Sequence, residues 1–166
     1  MTQYVFPLLA LIAAGAVQGA IPPALTILGA RPDIILVVLI VYSLQFEPAV
    51  GAVLGFAAGV LHGSLVGMSI TGFVVTRTLT GFVAGLVTTR VFSDHPMVPA
   101  LAVAWLTAFC EIIFLLANPP PAVFVALRTL LGECIYNVIL SLVIHWFMRN
   151  ARTKQRIKLA DARAKF

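Results

Sequence analysis

Charge is what this sequence has least of. Asp, Glu, Lys and Arg make up 10% of its 166 residues, hydrophobic residues make up 61%, and the mean hydropathy is +1.05. That is far more apolar surface than a soluble fold of this length can bury, which excludes a soluble domain and predicts a polytopic membrane protein. Cysteine is nearly missing too. Cys110 and Cys134 lie in apolar runs outside any CxxC or other metal-ligand spacing. Each adjoins a glutamate, Glu111 and Glu133 respectively, but both thiols read as small buried apolar side chains, so neither a metal nor a cofactor is expected. There is no GxSxG elbow, no HExxH, no pair of aspartates for facing helices and no Walker loop, so a catalytic role is not expected. No Lys or Arg precedes the first apolar run. A secretory leader with a cationic n-region is therefore not indicated, and the run reads as a retained helix.

Glycine is what the sequence does have, in an ordered pattern. Gly51, Gly55, Gly59, Gly63 and Gly67 recur every fourth residue. In an apolar helix this spacing lets a second backbone come close, so that van der Waals contact replaces the hydrophobic drive that lipid cannot supply. Four-residue steps overshoot the helical turn by about 40°, and five glycines would therefore spread over roughly 160° of surface. Gly51, Gly55 and Gly59 are accordingly assigned to a packing face on a helix that Pro48 starts, and Gly63 and Gly67 to its fraying end and the following turn. Gly81 and Gly85 are the next such pair and read as a second packing face, toward a partner or another helix.

Taken in order, the chain has room for about six apolar spans of roughly 20 residues. The first covers residues 4–21 and is stopped by Pro22-Pro23. Arg31, Pro32 and Asp33 start the second, Pro32 near its first turn and Asp33 at its N-terminal dipole. This run is short for a span. Glu47-Pro48 turns into the glycine-rich third. The fourth covers residues 70–92 and is followed by a polar turn over residues 93–96. The fifth covers residues 97–117, Asn118 and three prolines make a stiff connection, and the sixth covers residues 122–147. The predicted fold is all-α, a bundle of six transmembrane helices over residues 1–148 with a basic tail over 149–166.

Seven of the eleven basic residues, Arg149 to Lys165, occupy that tail. Such clusters are retained in the cytoplasm by anionic lipid, and six crossings then place both termini there. With one aromatic residue and no attached fold, the tail does not indicate nucleic-acid binding. Tyr4 and Trp146 sit where interfacial anchors belong, as does His145. His62 reads as the mark of the third span's outer end.

Ionisable groups at membrane depth need partners, water or a route to the interface. Arg77, Glu111 and Arg128 all fall about 9 to 11 Å below the outer ends of their spans. Two readings stand: one Arg-Glu-Arg cluster, or arginines that snorkel outward separately. Glu133 and Asn137, one turn apart, give the sixth span a polar face that needs a neighbour.

In its size, in Arg31-Pro32-Asp33 followed by an apolar run, in the glycines from Gly51 to Gly67 and in the last span with Asn137, the chain resembles the rod shape-determining protein MreD family. Many members carry an acidic residue after the glycine-rich helix, where this sequence has His62. The resemblance implies a non-enzymatic scaffold in the bacterial inner membrane. It would bind the bitopic protein MreC and associate with RodA, its penicillin-binding transpeptidase and MreB. A second class is also compatible: the substrate-binding S component of an energy-coupling-factor vitamin transporter, likewise a small six-helix bundle with glycine- and alanine-rich faces.

Overall fold

The computed structural model describes residues 2–22, 25–67, 69–91 and 97–163. Among these residues the protein is all-helical: α1 (Thr2–Ala20), α2 (Ile34–Ser43), α3 (Pro48–Val66), α4 (Ile70–Val91), α5 (Met97–Ala117) and α6 (Val123–Arg163). The polar turn expected over residues 93–96 lies outside the described residues.

The helix at the centre is the shortest one. α2 is ten residues, IILVVLIVYS, and every residue from Ile35 to Val41 is buried. A run without polar alternation has no face to offer water and packs on all sides. α2 accordingly touches each of the other five helices, and its side chains form the core with Leu54 and Ala58 of α3, Ala84 of α4, and Val103, Leu106 and Cys110 of α5. At 1.5 Å per residue it is about 15 Å long, half of a bilayer's hydrocarbon core. Four other helical stretches are long and apolar enough to cross: Pro48–Val66, Ile70–Val87, Pro99–Ala117 and Val123–Trp146.

The chain reaches α2 through a tight turn. Ile27 and Ala30 exchange backbone hydrogen bonds at 3.0 and 2.9 Å, with Leu28 and Gly29 between them at positive φ. The turn lies on α6 at Gly132, where a Cβ would run into the carbonyl oxygen of Ile27. A glycine on α6 is what lets a non-helical segment pack this closely.

α3 and α4 form the closest helix pair. Pro48 occupies the first turn of α3, and Gly67 ends it in the left-handed region at φ 71, its N–H donating to Gly63 at 2.9 Å. Along the seam a Cβ on Gly51 would strike the carbonyl of Gly81, one on Gly55 the carbonyl of Arg77, and one on Gly59 would lie 2.5 Å from Val74 Cα. Gly85 stands equally close to Pro48. The five glycines singled out as a packing face therefore meet inside the chain, α3 against α4. Gly63, expected to fray, is helical and part of the same seam, 2.9 Å from Ile70 Cα measured from its notional Cβ. The two antiparallel helices diverge little enough that all four glycines on α3 stay in contact, and Gly67 falls to the cap.

The connection over residues 118–122 is non-helical, as its prolines require. α6 then continues through residues 149–163 as one helix of 41 residues, so the basic segment prolongs the last span.

Candidate functional site

A helix that starts inside a protein must find partners for its first N–H groups. For α2, Asp33 is the N-cap: its Oδ1 accepts from the Leu36 N–H at 2.9 Å. Gln18 of α1 reaches across so that Oε1 accepts from the Ile35 N–H at 3.2 Å. Asn137 of α6 accepts from the Asp33 N–H at 3.1 Å, and its own amide donates to Thr107 Oγ1 of α5 at 3.2 Å. The start of α2 is thus tied to α1, α5 and α6 by side chains.

The other carboxylate oxygen of Asp33 pairs with Nη2 of Arg77, on α4. The same Nη2 lies 2.7 Å from His62 Nδ1 on α3. Arginine has donors only, so this contact assigns a lone pair to Nδ1 and the proton of a neutral ring to Nε2. The 3.5 Å approach of Nδ1 to Asp33 is then an electrostatic neighbour and not a second ion pair. Phe73, one turn before Arg77, lies flat on His62 with ring centroids 4.6 Å apart at 10°, and the guanidinium carbon sits 4.7 Å over its ring. Phe114 of α5 extends the stack at 4.8 Å.

Beside this cluster is a cavity of about 570 Å³. Its walls carry the carboxyl groups of Glu111 and Glu133, together with Arg31, Phe73, Phe114 and Arg77; the ends of α1 and α3 line it at Gln18, Leu65 and Val66. Arg77 is 1% exposed, and its Nε and Nη1 have no hydrogen-bond partner among the described residues. A guanidinium buried with only one of its three nitrogens bonded is costly, a cost that the Asp33 carboxylate and the Phe73 ring offset in part.

The sequence-selected residues divide clearly. Arg77, Glu111 and Glu133 share the cavity with Arg31, Pro32 and Asp33, and Asn137 is buried just behind it. The proposed Arg77–Glu111–Arg128 cluster is corrected: Arg77 pairs with Asp33, and no ion pair joins Arg128 to Glu111 among the described residues. Equal depth on three helices was the ground for that cluster, but depth leaves azimuth free. Arg128 is exposed on α6 and does not line the cavity, whereas Asp33 enters at the same level from a helix start that had been read only as a cap. His62 is corrected as well. It is buried and helical on both sides, and it faces Arg77 instead of marking a span's end. The signal was its spacing, since His62 follows Gly55 by seven residues and so continues the glycine face toward α4. Gln18, Phe73 and Thr107 carried no sequence signal of their own. Cys110 is buried and free, and Cys134 donates to the Ala104 carbonyl at 3.7 Å.

A family model described as rod shape-determining protein MreD matches residues 1–151. The chain belongs to the MreD family. No curated protein and no solved structure matches it. The matched span takes in α1 to α5 and most of α6, including every residue of the Asp33–His62–Arg77 cluster and both cavity glutamates. The protein is thereby a membrane protein of rod-shape determination, in a family that is structural in role.

Proposed function

We infer that this family member is a non-enzymatic scaffold of the bacterial inner membrane that helps maintain rod shape by assembling the cell-wall elongation complex. The family match over residues 1–151 carries this reading. The build of the molecule agrees with it. A hairpin locked backbone to backbone and a central helix tied by side chains to its neighbours give a stiff body, suited to holding other proteins at fixed positions. The partners implied are MreC first, then RodA with its penicillin-binding transpeptidase, and MreB. Membrane pull-down of the tagged full chain should recover a bitopic MreC-type partner. Recovery of the chain alone, from membranes that contain such a partner, would count against the scaffold.

In this reading there are six crossings, the second made by α2 together with the segment before it, and both termini are cytoplasmic. The basic cluster beyond Trp146 supports that orientation, in which the cavity faces the outer surface. Reporter fusions at both ends should report the cytoplasm. An external N-terminus would mean that residues 21–43 do not cross.

A second reading, the substrate-binding S component of an energy-coupling-factor vitamin transporter, is favoured by the cavity alone. Co-purification of a vitamin with the chain would support it, and co-purification of a bitopic protein supports the scaffold.

A further inference from the structure

α2 is about 15 Å long, and beyond its N-terminus the other five helices run on and surround the cavity, each contributing to its lining. The Asp33–His62–Arg77 cluster lies at the α2 end, and Ile21, Leu65 and Val66 line the opposite end, where α1 and α3 stop. Between them are two carboxyl groups. Glu111 stands six residues before the end of α5 and Glu133 ten residues after the start of α6, about 9 and 15 Å below those ends. Neither accepts a hydrogen bond or joins an ion pair among the described residues, and their oxygens keep accessible surface, unlike Nε and Nη1 of Arg77. Charge is also unbalanced. Two arginines, Arg31 and Arg77, share the cavity with three carboxyl groups, those of Asp33, Glu111 and Glu133. Arg77 is taken by Asp33, Arg31 balances one glutamate, and with both glutamates ionised one negative charge remains at membrane depth, where it needs a counter-charge. A metal ion does not fit, because no three His, Cys, Asp or Glu side chains among the described residues are grouped to hold one. Two carboxyl groups beside the ring of Phe114 instead suit an ammonium with an attached carbon chain, its N–H groups on the carboxylates and its chain against the ring.

We propose that this cavity is a binding site for a small water-soluble organic monocation, a primary alkylammonium, which enters from the end lined by Ile21, Leu65 and Val66 and donates to Glu111 and Glu133. Arg77 takes no part in holding the ligand; its pairing with Asp33 fixes the floor and keeps that carboxylate from competing for the cation. Arg31, the exposed cation on the same wall as Asp33, opposes the ligand and sets how tightly it is held. The site does not depend on which proteins the bundle assembles, and it stands or falls separately from the scaffold reading.

The test uses the purified full chain in an uncharged detergent at mildly alkaline pH, with thermal unfolding followed as each of three probes is added: n-butylammonium, n-butyltrimethylammonium and n-butanol. n-Butylammonium should raise the melting temperature saturably, with an apparent Kd of about 1 mM. The trimethyl analogue keeps the charge but has no N–H for the carboxylates, and it should bind about tenfold more weakly. Butanol keeps the chain without the charge and should give no saturable rise. Glu111→Gln combined with Glu133→Gln should abolish the response to n-butylammonium while the protein without probe melts no lower than the wild type, since neither carboxyl group has a partner to lose among the described residues. Arg31→Gln removes the opposing cation and should tighten n-butylammonium about threefold, a gain that general stabilisation by an amine salt would not produce. A wild-type chain that shows no saturable rise with n-butylammonium, an equal response to butanol, or a response that the double variant leaves intact would overturn the proposal.

Discussion

Asp33→Asn should destabilise the protein by about 3–5 kcal/mol, although asparagine is as good an N-cap as aspartate. The substitution keeps the cap to Leu36 and removes only the charge, leaving the Arg77 guanidinium buried at 1% exposure with no carboxylate against it. Most of the loss comes from that stranded cation, not from the worth of the pair. The second half of the series follows from this. Arg77→Met fills similar space without charge, so Asp33→Asn combined with Arg77→Met should recover most of what Asp33→Asn loses. Thermal unfolding of the purified chain in detergent, for both single variants and the double, measures the coupling. Additive losses would mean that the pair is not what stabilises the junction of α2 and α4. His62 adds a check within the same series. As an acceptor for Nη2, it should be replaceable by glutamine at a much smaller cost than Asp33 by asparagine.

How much of this was legible beforehand follows from what one-dimensional patterns encode. Apolar runs and their breakers, Pro22, Pro48 and the prolines after Asn118, placed all six helices, because lipid and proline act on local chain length and backbone geometry. The glycine period announced close packing but not its partner. The answer, Gly81 and the Arg77 carbonyl, depends on how α4 folds back, which is a tertiary fact. Charges were harder still. Depth along the spans offers Arg77 either Glu111 or a lone route to the interface, and it gives no reason to look to Asp33, which reads as a helix cap. The carboxylate does both at once, one oxygen on Leu36 and the other on Arg77. His62 was passed over because it stands beside Gly63 and the expected end of a span. The helix in fact continues to Val66, carrying the imidazole onto the buried face.

Gly55→Ala, a single added carbon, should prove nearly as damaging as the loss of the charge. Its Cβ would meet the Arg77 carbonyl oxygen, with the Arg77 carbonyl carbon at 2.7 Å and Thr78 Cα at 2.8 Å, all of them backbone atoms of α4 that cannot rotate away. Helices held this way can only separate, so the cost should fall at the upper end of the 1–3 kcal/mol typical of overpacking, about 3 kcal/mol. Gly19→Ala is the internal control. The nearest atom to its notional Cβ is Leu65 Cδ2 at 4.0 Å, so alanine fits, and it should be neutral or stabilise by a few tenths of a kcal/mol through its better helix propensity. If Gly55→Ala also behaves like the control in detergent melting, α3 and α4 do not touch as described. The two largest effects also have to be linked, because the carbonyl that Gly55 crowds belongs to Arg77. Moving α4 outward there carries the guanidinium away from Asp33, so Gly55→Ala combined with Asp33→Asn should cost clearly less than the sum of the two single losses. A sum that adds within error would separate the glycine seam from the ion pair and leave the close approach serving packing alone.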